Sequence, residues 1–170
     1  MQKTLPPFLQ RAVDAYPKVL EALRVAEQYH RDQKPRGTAD GREEPYVNHC
    51  IRVAENVAKL NHRPEVIMAA LLHDTLEDTH LTYAQLLAAF GDQVARLVVE
   101  LTDVYTPGKI PRSVRKTLEA DRLGRTSPCA RLIKLMDVLD NAESIEAKEG
   151  NNFAETWRLE KDYLVYRILN

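Results

Sequence analysis

Several things are scarce or missing in this chain, and each narrows its class. Only two cysteines occur, Cys50 and Cys129, far apart and in no CxxC pattern. Neither a disulfide framework nor a thiolate zinc site is expected from them; two reduced thiols are. No apolar run approaches the ~20 residues of a membrane span. The opening stretch MQKTLPPFLQRAVDAYP lacks the apolar core of a signal peptide. The expectation is a cytoplasmic protein without a membrane partner. Charge of one sign is also missing: 24 basic and 25 acidic residues leave a net charge of −1. That balance gives no overall pull toward nucleic acid, and none is expected as a partner. A local basic pocket for a phosphorylated small molecule remains compatible with it. Internal repeats, low-complexity tracts and convincing strand or hairpin signals are absent too.

What is present is helical. With 170 residues, 44% of them hydrophobic, the chain has the size of one globular domain spanning 1–170, its core over about 17–169. Pro17 suits the first turn of a helix over 17–32, with Val19, Leu20, Leu23 and Ala26 on one face. Residues 33–45, QKPRGTADGREEP, form the longest loop. A second helix runs from about Tyr46 to Leu60. Pro64 opens a third, to about Leu76, the most continuously apolar and so the central one. Thr82 caps a helix to Phe90, Gly91 interrupts, and Asp92 can cap its continuation to Thr102. Thr106-Pro107-Gly108 mark a loop. A charged helix follows over 111–123, then one from Ser127-Pro128 to about Lys148, stopped by Gly150, and a last over 152–168. The fold class is all-α, an irregular helical bundle.

The stretch LLHDTLEDTH, residues 71–80, places acidic groups and two histidines beside leucines that belong in a core. If it continues the third helix, His73 and Glu77 share a face, and Asp74, Glu77 and Asp78 crowd one another. Packed carboxylates repel unless protonated, solvated or tied to a cation. Histidine with carboxylate suits Zn²⁺, Mn²⁺ or Fe²⁺. His73 and Asp74 diverge by about 100° on a regular helix and reach one ion best at a helix end or kink. His49, early in the second helix, and Asp137, amid RLIKLMDVLDN, could complete such a site. Each also has a plainer reading: a satisfied half-buried histidine, and an aspartate paired with Lys134 or Arg131 of its own helix. HDxxED itself could be a solvated helix end. Asn141 shares a face with Asp137. His62 and His80 read as surface residues, and His30 as the polar end of a helix.

Taken together, three segments carry a resemblance. EEPYVNHCIRVAENVA is similar to the EPYIxHPxVA stretch of the RelA/SpoT hydrolase domain, AALLHDTLEDT to its AxLLHDxxED, and SPCARLIKLMDVLDN to its AxxIKLADRLxN. The match covers roughly residues 20–145, and the size resembles the small stand-alone alarmone hydrolases of the HD-domain metal phosphohydrolase superfamily. The resemblance implies an HD-type helical fold. It implies Mn²⁺, or another divalent transition metal, held by His49, His73, Asp74 and Asp137. It makes Glu77 and Asp78 the catalytic acidic pair and Asn141 a nucleoside contact. Departures are visible. Cys50 stands where the family usually has proline. The loop before EPY is longer, leaving Lys34, Arg36 and Arg42 as candidates for the base contact. NAES replaces a common Arg-Thr pair.

The implied activity is hydrolysis of a nucleotide phosphate ester, foremost the 3′-pyrophosphate of guanosine tetra- or pentaphosphate. Basic residues of the 33–45 loop and of RSVRK, Arg115 and Lys116 among them, would offset substrate charge. Two alternatives stand beside it: another nucleotide phosphate, such as the 2′-phosphate of NADPH, and a nucleotide-binding regulator without turnover. The partner is a small-molecule nucleotide, and assembly as a homodimer stays open.

Overall fold

Proline at the first helical position starts several helices, where its missing N–H leaves no intrahelical bond unmade. The structure, a computed structural model, describes residues 4–38, 41–105, 108, 110–146 and 152–170. Helices α1 (Pro7–Ala15) and α2 (Pro17–Tyr29) lead into a minimal hairpin, β1 (Arg36–Gly37) and β2 (Glu43–Glu44), paired antiparallel with Arg36 opposite Glu44. Then come α3 (Val47–Leu60), α4 (Pro64–Leu72) and a single turn, α5 (Thr75–Asp78). Helix α6 (Tyr83–Leu101) opens on a capping box between Thr82 and Gln85. It breaks at Gly91, whose φ of 81° suits glycine far better than a residue with a side chain. Helices α7 (Arg112–Leu123), α8 (Pro128–Glu146) and α9 (Asn152–Leu169) complete the chain. The described residues are all-α apart from the hairpin.

Helix α4 is the centre. Every residue from Val66 to Leu72 is buried, and α2, α3, α6 and α8 pack around it. Full burial of a leucine is worth about 1.5–3 kcal/mol, so Leu71 and Leu72 anchor the segment that follows them. On α3, a buried Glu55 accepts the Leu9 backbone N–H at 2.7 Å, which satisfies a free amide in the first turn of α1. A smaller apolar cluster joins α7 and α9 through Ala120, Leu123, Leu164 and Ile168, with Val138 of α8. A Cβ at Gly124 would lie 2.5 Å from the Arg167 carbonyl oxygen, so glycine permits this close approach. Both cysteines are free thiols, Cys50 buried and Cys129 half-buried.

Four features differ from the sequence expectation. Helix α1 lies outside the predicted core span, yet Leu9 is fully buried. The hairpin exists although no strand was expected, because two residue pairs are too short to show alternation. The third helix ends at Leu72, short of Leu76, because side chains take up its last carbonyls: His73 Nδ1 lies 2.9 Å from the Ala70 oxygen, and Thr75 Oγ1 donates to Leu72. His30 ends α2, as read, yet the side chain is buried, 2% exposed. His62 and His80 are exposed, as read. The expected turn at Thr106-Pro107, the helix end at Lys148 and the stop at Gly150 lie outside the described residues.

Candidate metal centre

Helices α3, α4 and α8 pack against one another, and each brings acidic or imidazole groups to one buried point. His49 sits in the first turn of α3, Asp137 mid-way along α8, and His73 and Asp74 in the break between α4 and α5. That break matters. Asp74 has φ −95° and ψ −1°, and the helix does not resume until Thr75. The divergence of adjacent helical side chains is thereby reduced, and His73 Nε2 comes to 3.0 Å from Asp74 Oδ2. His49 Nε2 lies 3.7 Å from the same oxygen and 3.3 Å from Asp137 Oδ1; His73 Nε2 is 3.9 Å from Asp137 Oδ1. His49, His73 and Asp137 are buried and Asp74 is half-buried.

The hydrogen bonds fix what the imidazoles present. His49 Nδ1 lies 2.7 Å from Asp140 Oδ2 and His73 Nδ1 lies 2.9 Å from the Ala70 carbonyl oxygen. Both partners accept, so both Nδ1 atoms donate, and in the neutral rings each Nε2 carries a lone pair. Each Nε2 is buried without a hydrogen-bond partner among the described residues. Two lone pairs thus face two carboxylates, an arrangement that is repulsive unless a proton or a cation lies between. Burial works to lower the His73 pKa, but Asp74 and Asp137 outweigh it and raise it to about 9. Burial works against ionisation of Asp137, yet the Lys134 ammonium and the two histidines hold its carboxyl well below the usual range. The same field that favours a proton on Nε2 favours a divalent ion more. Two imidazole nitrogens and two carboxylate oxygens form a donor set that Zn²⁺, Mn²⁺ and Fe²⁺ accept. His49, His73 and Asp74 by themselves already place one donor atom each within 4.8 Å of one another.

The remaining predicted residues fall into two groups. Asn141 donates to Asp137 Oδ1 and accepts from Arg36 Nη2, so the hairpin is tied to α8 at the edge of the cluster. The Arg36 guanidinium also lies over the Tyr46 ring, 5.4 Å from its centroid. Arg36 is therefore a loop cation in contact with the cluster. Glu77 and Asp78 lie one turn beyond and are exposed. Glu77 Oε2 accepts the Asp103 backbone N–H at 3.1 Å; partial burial and the Asp103 carboxylate raise its pKa. Lys116 pairs with Asp103 at 2.9 Å, and so reaches the Glu77 side of the cluster. Lys34 is exposed and Arg115 half-buried, and no hydrogen bond or ion pair joins either to the cluster among the described residues.

Two groups that hold the cluster from behind, Asp140 and Tyr46, were not among the expected site residues. Asp140 is buried, and besides His49 it binds Arg52, which also pairs with Glu44 at 2.6 Å. Carboxylate-to-imidazole contacts of this kind orient metal-binding histidines. The available signal was a second aspartate three positions after Asp137, on the same side of the helix. The Tyr46 hydroxyl donates to Asp74 Oδ2 at 2.6 Å, and burial with Asp74 nearby raises its pKa, so it stays a donor. Lys134 Nζ lies 2.8 Å from Asp137 Oδ2. The plainer reading of Asp137, an ion pair on its own helix, is therefore true of one oxygen while the other faces the histidines.

Comparison with known proteins gives a consistent answer. A human guanosine-3′,5′-bis(diphosphate) 3′-pyrophosphohydrolase, MESH1, is 39% identical over 143 residues, 81% of this chain and 75% of its own length. A guanosine-3′,5′-bis(diphosphate) 3′-pyrophosphohydrolase of Aquifex aeolicus is 37% identical over 152 residues, 84% of this chain and 20% of that longer protein. A solved structure described as a metazoan ortholog of SpoT that hydrolyzes ppGpp superimposes with a TM-score of 0.78 at 29% identity, covering 98% of this chain and 88% of that one. Lmo0812 from Listeria monocytogenes gives 0.60 at 28% identity, over 75% of this chain and 84% of its own. The HD domain profile matches residues 22–163, and the chain belongs to the HD domain family.

Proposed function

We propose that this protein is a Mn²⁺-dependent hydrolase that removes the 3′-diphosphate of guanosine tetraphosphate or pentaphosphate. The observation that carries the reading is the pair of buried, unpartnered Nε2 atoms of His49 and His73 facing the carboxylates of Asp74 and Asp137. The activity for which the human and Aquifex relatives are named supplies the substrate. Water adds across the ester linking the 3′ oxygen to the diphosphate, giving a free 3′-hydroxyl and inorganic diphosphate.

In this reading His49, His73, Asp74 and Asp137 hold the ion. A bound divalent ion acidifies water and neutralises phosphoryl charge. Asp140 and the Ala70 carbonyl keep both imidazoles in the Nδ1–H tautomer, Tyr46 donates to Asp74 Oδ2, the oxygen that faces the imidazoles, and Lys134 holds the outer oxygen of Asp137. Glu77 and Asp78, at the exposed edge, accept the proton of the attacking water and return it to the leaving oxygen. The raised pKa of Glu77, caused by burial and the Asp103 carboxylate, suits it to hold that proton. Arg36 offers a flat guanidinium for stacking on the base, and Asn141 contacts the nucleoside. Lys116 offsets phosphate charge. Lys34 and Arg115 have weaker claims, as neither is seen against the cluster. The reading takes residues 1–170 as one catalytic domain working in the cytoplasm. Among the described residues no helix is long and apolar enough to cross a membrane.

Purified protein incubated with Mn²⁺ and a panel of guanosine tetraphosphate, guanosine pentaphosphate and NADPH tests this directly. Diphosphate release from the guanosine substrates, lost in Asp74→Ala and Glu77→Gln, is the expected result. Phosphate release confined to NADPH moves the activity to the other substrate. Tight nucleotide binding with no release supports a regulator instead.

A further inference from the structure

One buried titratable side chain next to this site has no part in the reaction as derived so far. His30, at the C-terminal end of α2, is 2% exposed. Its ring is stacked on Tyr46, with centroids 4.9 Å apart and planes 25° from parallel. Tyr46 in turn donates to Asp74. On its other side, His30 Nδ1 lies 2.5 Å from Gln33 Oε1, and Gln33 Nε2 donates to Asp78 Oδ2 at 3.1 Å. A single imidazole therefore touches two side chains, and each of those holds one carboxylate of the 74–78 segment.

The direction of these bonds can be worked out. An ionised Asp78 only accepts, so Gln33 must turn its NH₂ toward Asp78 and its carbonyl oxygen toward His30. That oxygen only accepts, so His30 Nδ1 carries the hydrogen. His30 Nε2 is then a bare acceptor, and it is buried without a partner among the described residues. Burial lowers the pKa of this ring, while Gln33, Asp74 and Asp78 pull it up and His73 pulls it down; the net shift is downward. The lowered pKa favours the neutral ring at pH 7, and in that form the hydrogen on Nδ1 leaves Nε2 as the bare acceptor.

We infer that His30 is a positioning residue: acting through Gln33 it holds Asp78 in one rotamer, and through the Tyr46 ring it backs the group that steadies Asp74. The inference rests on the hydrolase reading above. The physical need is clear from the exposure of Asp78. An exposed carboxylate samples its rotamers on the picosecond-to-nanosecond scale. A proton acceptor is effective only while it points at the attacking water. Gln33 by itself is a half-buried loop side chain, free to turn; the buried His30 Nδ1–H fixes which way its amide faces. A histidine kept merely to fill space would have no reason to orient Gln33.

The test compares His30→Phe, His30→Asn and Gln33→Leu, each loaded with Mn²⁺ and assayed on guanosine tetraphosphate. His30→Phe keeps the stack on Tyr46 but loses the donor; His30→Asn can place an amide N–H near the Nδ1 position. Expected is a fall in kcat of roughly 10- to 100-fold for His30→Phe and Gln33→Leu, with KM within about twofold and bound metal unchanged. His30→Asn recovers much of the loss, and the double variant His30→Phe/Gln33→Leu is no worse than either single one. Wild-type kcat in Gln33→Leu, or single losses that multiply in the double variant, would overturn the proposal. Nitrogen-15 spectra of the zinc-loaded protein decide the geometry without any turnover. An Nδ1–H tautomer for His30, perturbed in Gln33→Leu, is expected; an Nε2–H tautomer in the wild type refutes the chain of bonds. If the wild type releases no diphosphate while the tautomer is as stated, the substrate assignment has failed and the His30–Gln33–Asp78 chain has not.

Discussion

Two neighbouring regions bury charge, and their electrostatic demands are opposite. At the junction of α3, α4 and α8, imidazole lone pairs and carboxylates face one another, and an added cation is favoured. On the other side of α8, Lys116, Lys134 and Lys161 meet at a narrow crevice with Asp103, Glu119 and Glu160. Lys116 pairs with Asp103 and Lys134 with Asp137. Lys161 lies over the Trp157 ring, 5.6 Å from its centroid, with no carboxylate in ion-pair range among the described residues. Burial first, then Lys134 and Lys116, lower its pKa to about 8. The Lys134–Asp137 ion pair is the link between the two regions. The difference teaches that burial alone does not say what a charged cluster wants; the sign left over after pairing does. On the α3–α4 side negative charge is left over, on the α9 side positive.

The sharpest way to break this comparison is to withhold the ion. Chelation should abolish turnover and lower stability. A ligand at 100 times its dissociation constant is worth about 2.7 kcal/mol, hence roughly 5–10 °C in a domain of this size. Calorimetry with and without Mn²⁺ checks it; an unchanged midpoint would mean that the cluster is satisfied without metal. Next in size is Asp140→Asn, which weakens the acceptor behind His49 but keeps its shape. Metal affinity should fall about 10- to 100-fold, measured by competition with a metallochromic dye. Arg36→Ala leaves bound metal unchanged and raises KM several-fold, on the order of 1 kcal/mol, with kcat little affected. Equal loss in kcat would move Arg36 from base contact to chemistry.

The smallest effect belongs to the α9 side. The folded Lys161 amine titrates near 8, against an ordinary value of 10.5. Between those values the unfolded chain binds the extra proton, so this residue makes stability rise with pH, and its penalty is fully present below about pH 8. Lys161→Met should therefore be the more stable protein at pH 7, by less than ~1 kcal/mol, and should lose that rise. Denaturant midpoints of both proteins from pH 7 to 10.5 are the measurement. Parallel curves would show that the ammonium is adequately solvated.

How much of the site could be read in advance varies by residue. Asp137 stood out because an aspartate amid Leu135, Met136 and Val138 is costly without a partner. His73 and Asp74 stood out because Leu71 and Leu72 forbid a wet segment. Asp140, three positions after Asp137, shares its side of α8, but nothing in the sequence says that its side chain is buried. It acquires its role only where α8 crosses α3 and meets His49, 91 positions away. The burial of His30 was hidden for a similar reason. One of its two partners lies past the end of its helix in the loop, and the other beyond the hairpin. The choice among Lys34, Arg36 and Arg42 could not be made from spacing, since the two-pair ladder that turns Arg36 inward is too short to leave a pattern.

Apart from α1 and the early end of α4, the helix positions were legible, as were their prolines, the Thr82 cap, the apolar stripe of α4 and the chemical types gathered at the centre, because they depend on neighbours three or four residues away. The convergence of those groups, the tautomers of His30, His49 and His73, and the meeting of Arg36 with Asn141 across 105 positions were decided by how the helices pack. Local periodicity states which face of a helix is buried. It carries no information on which other face will lie against it, and hydrogen-bond direction is settled only there.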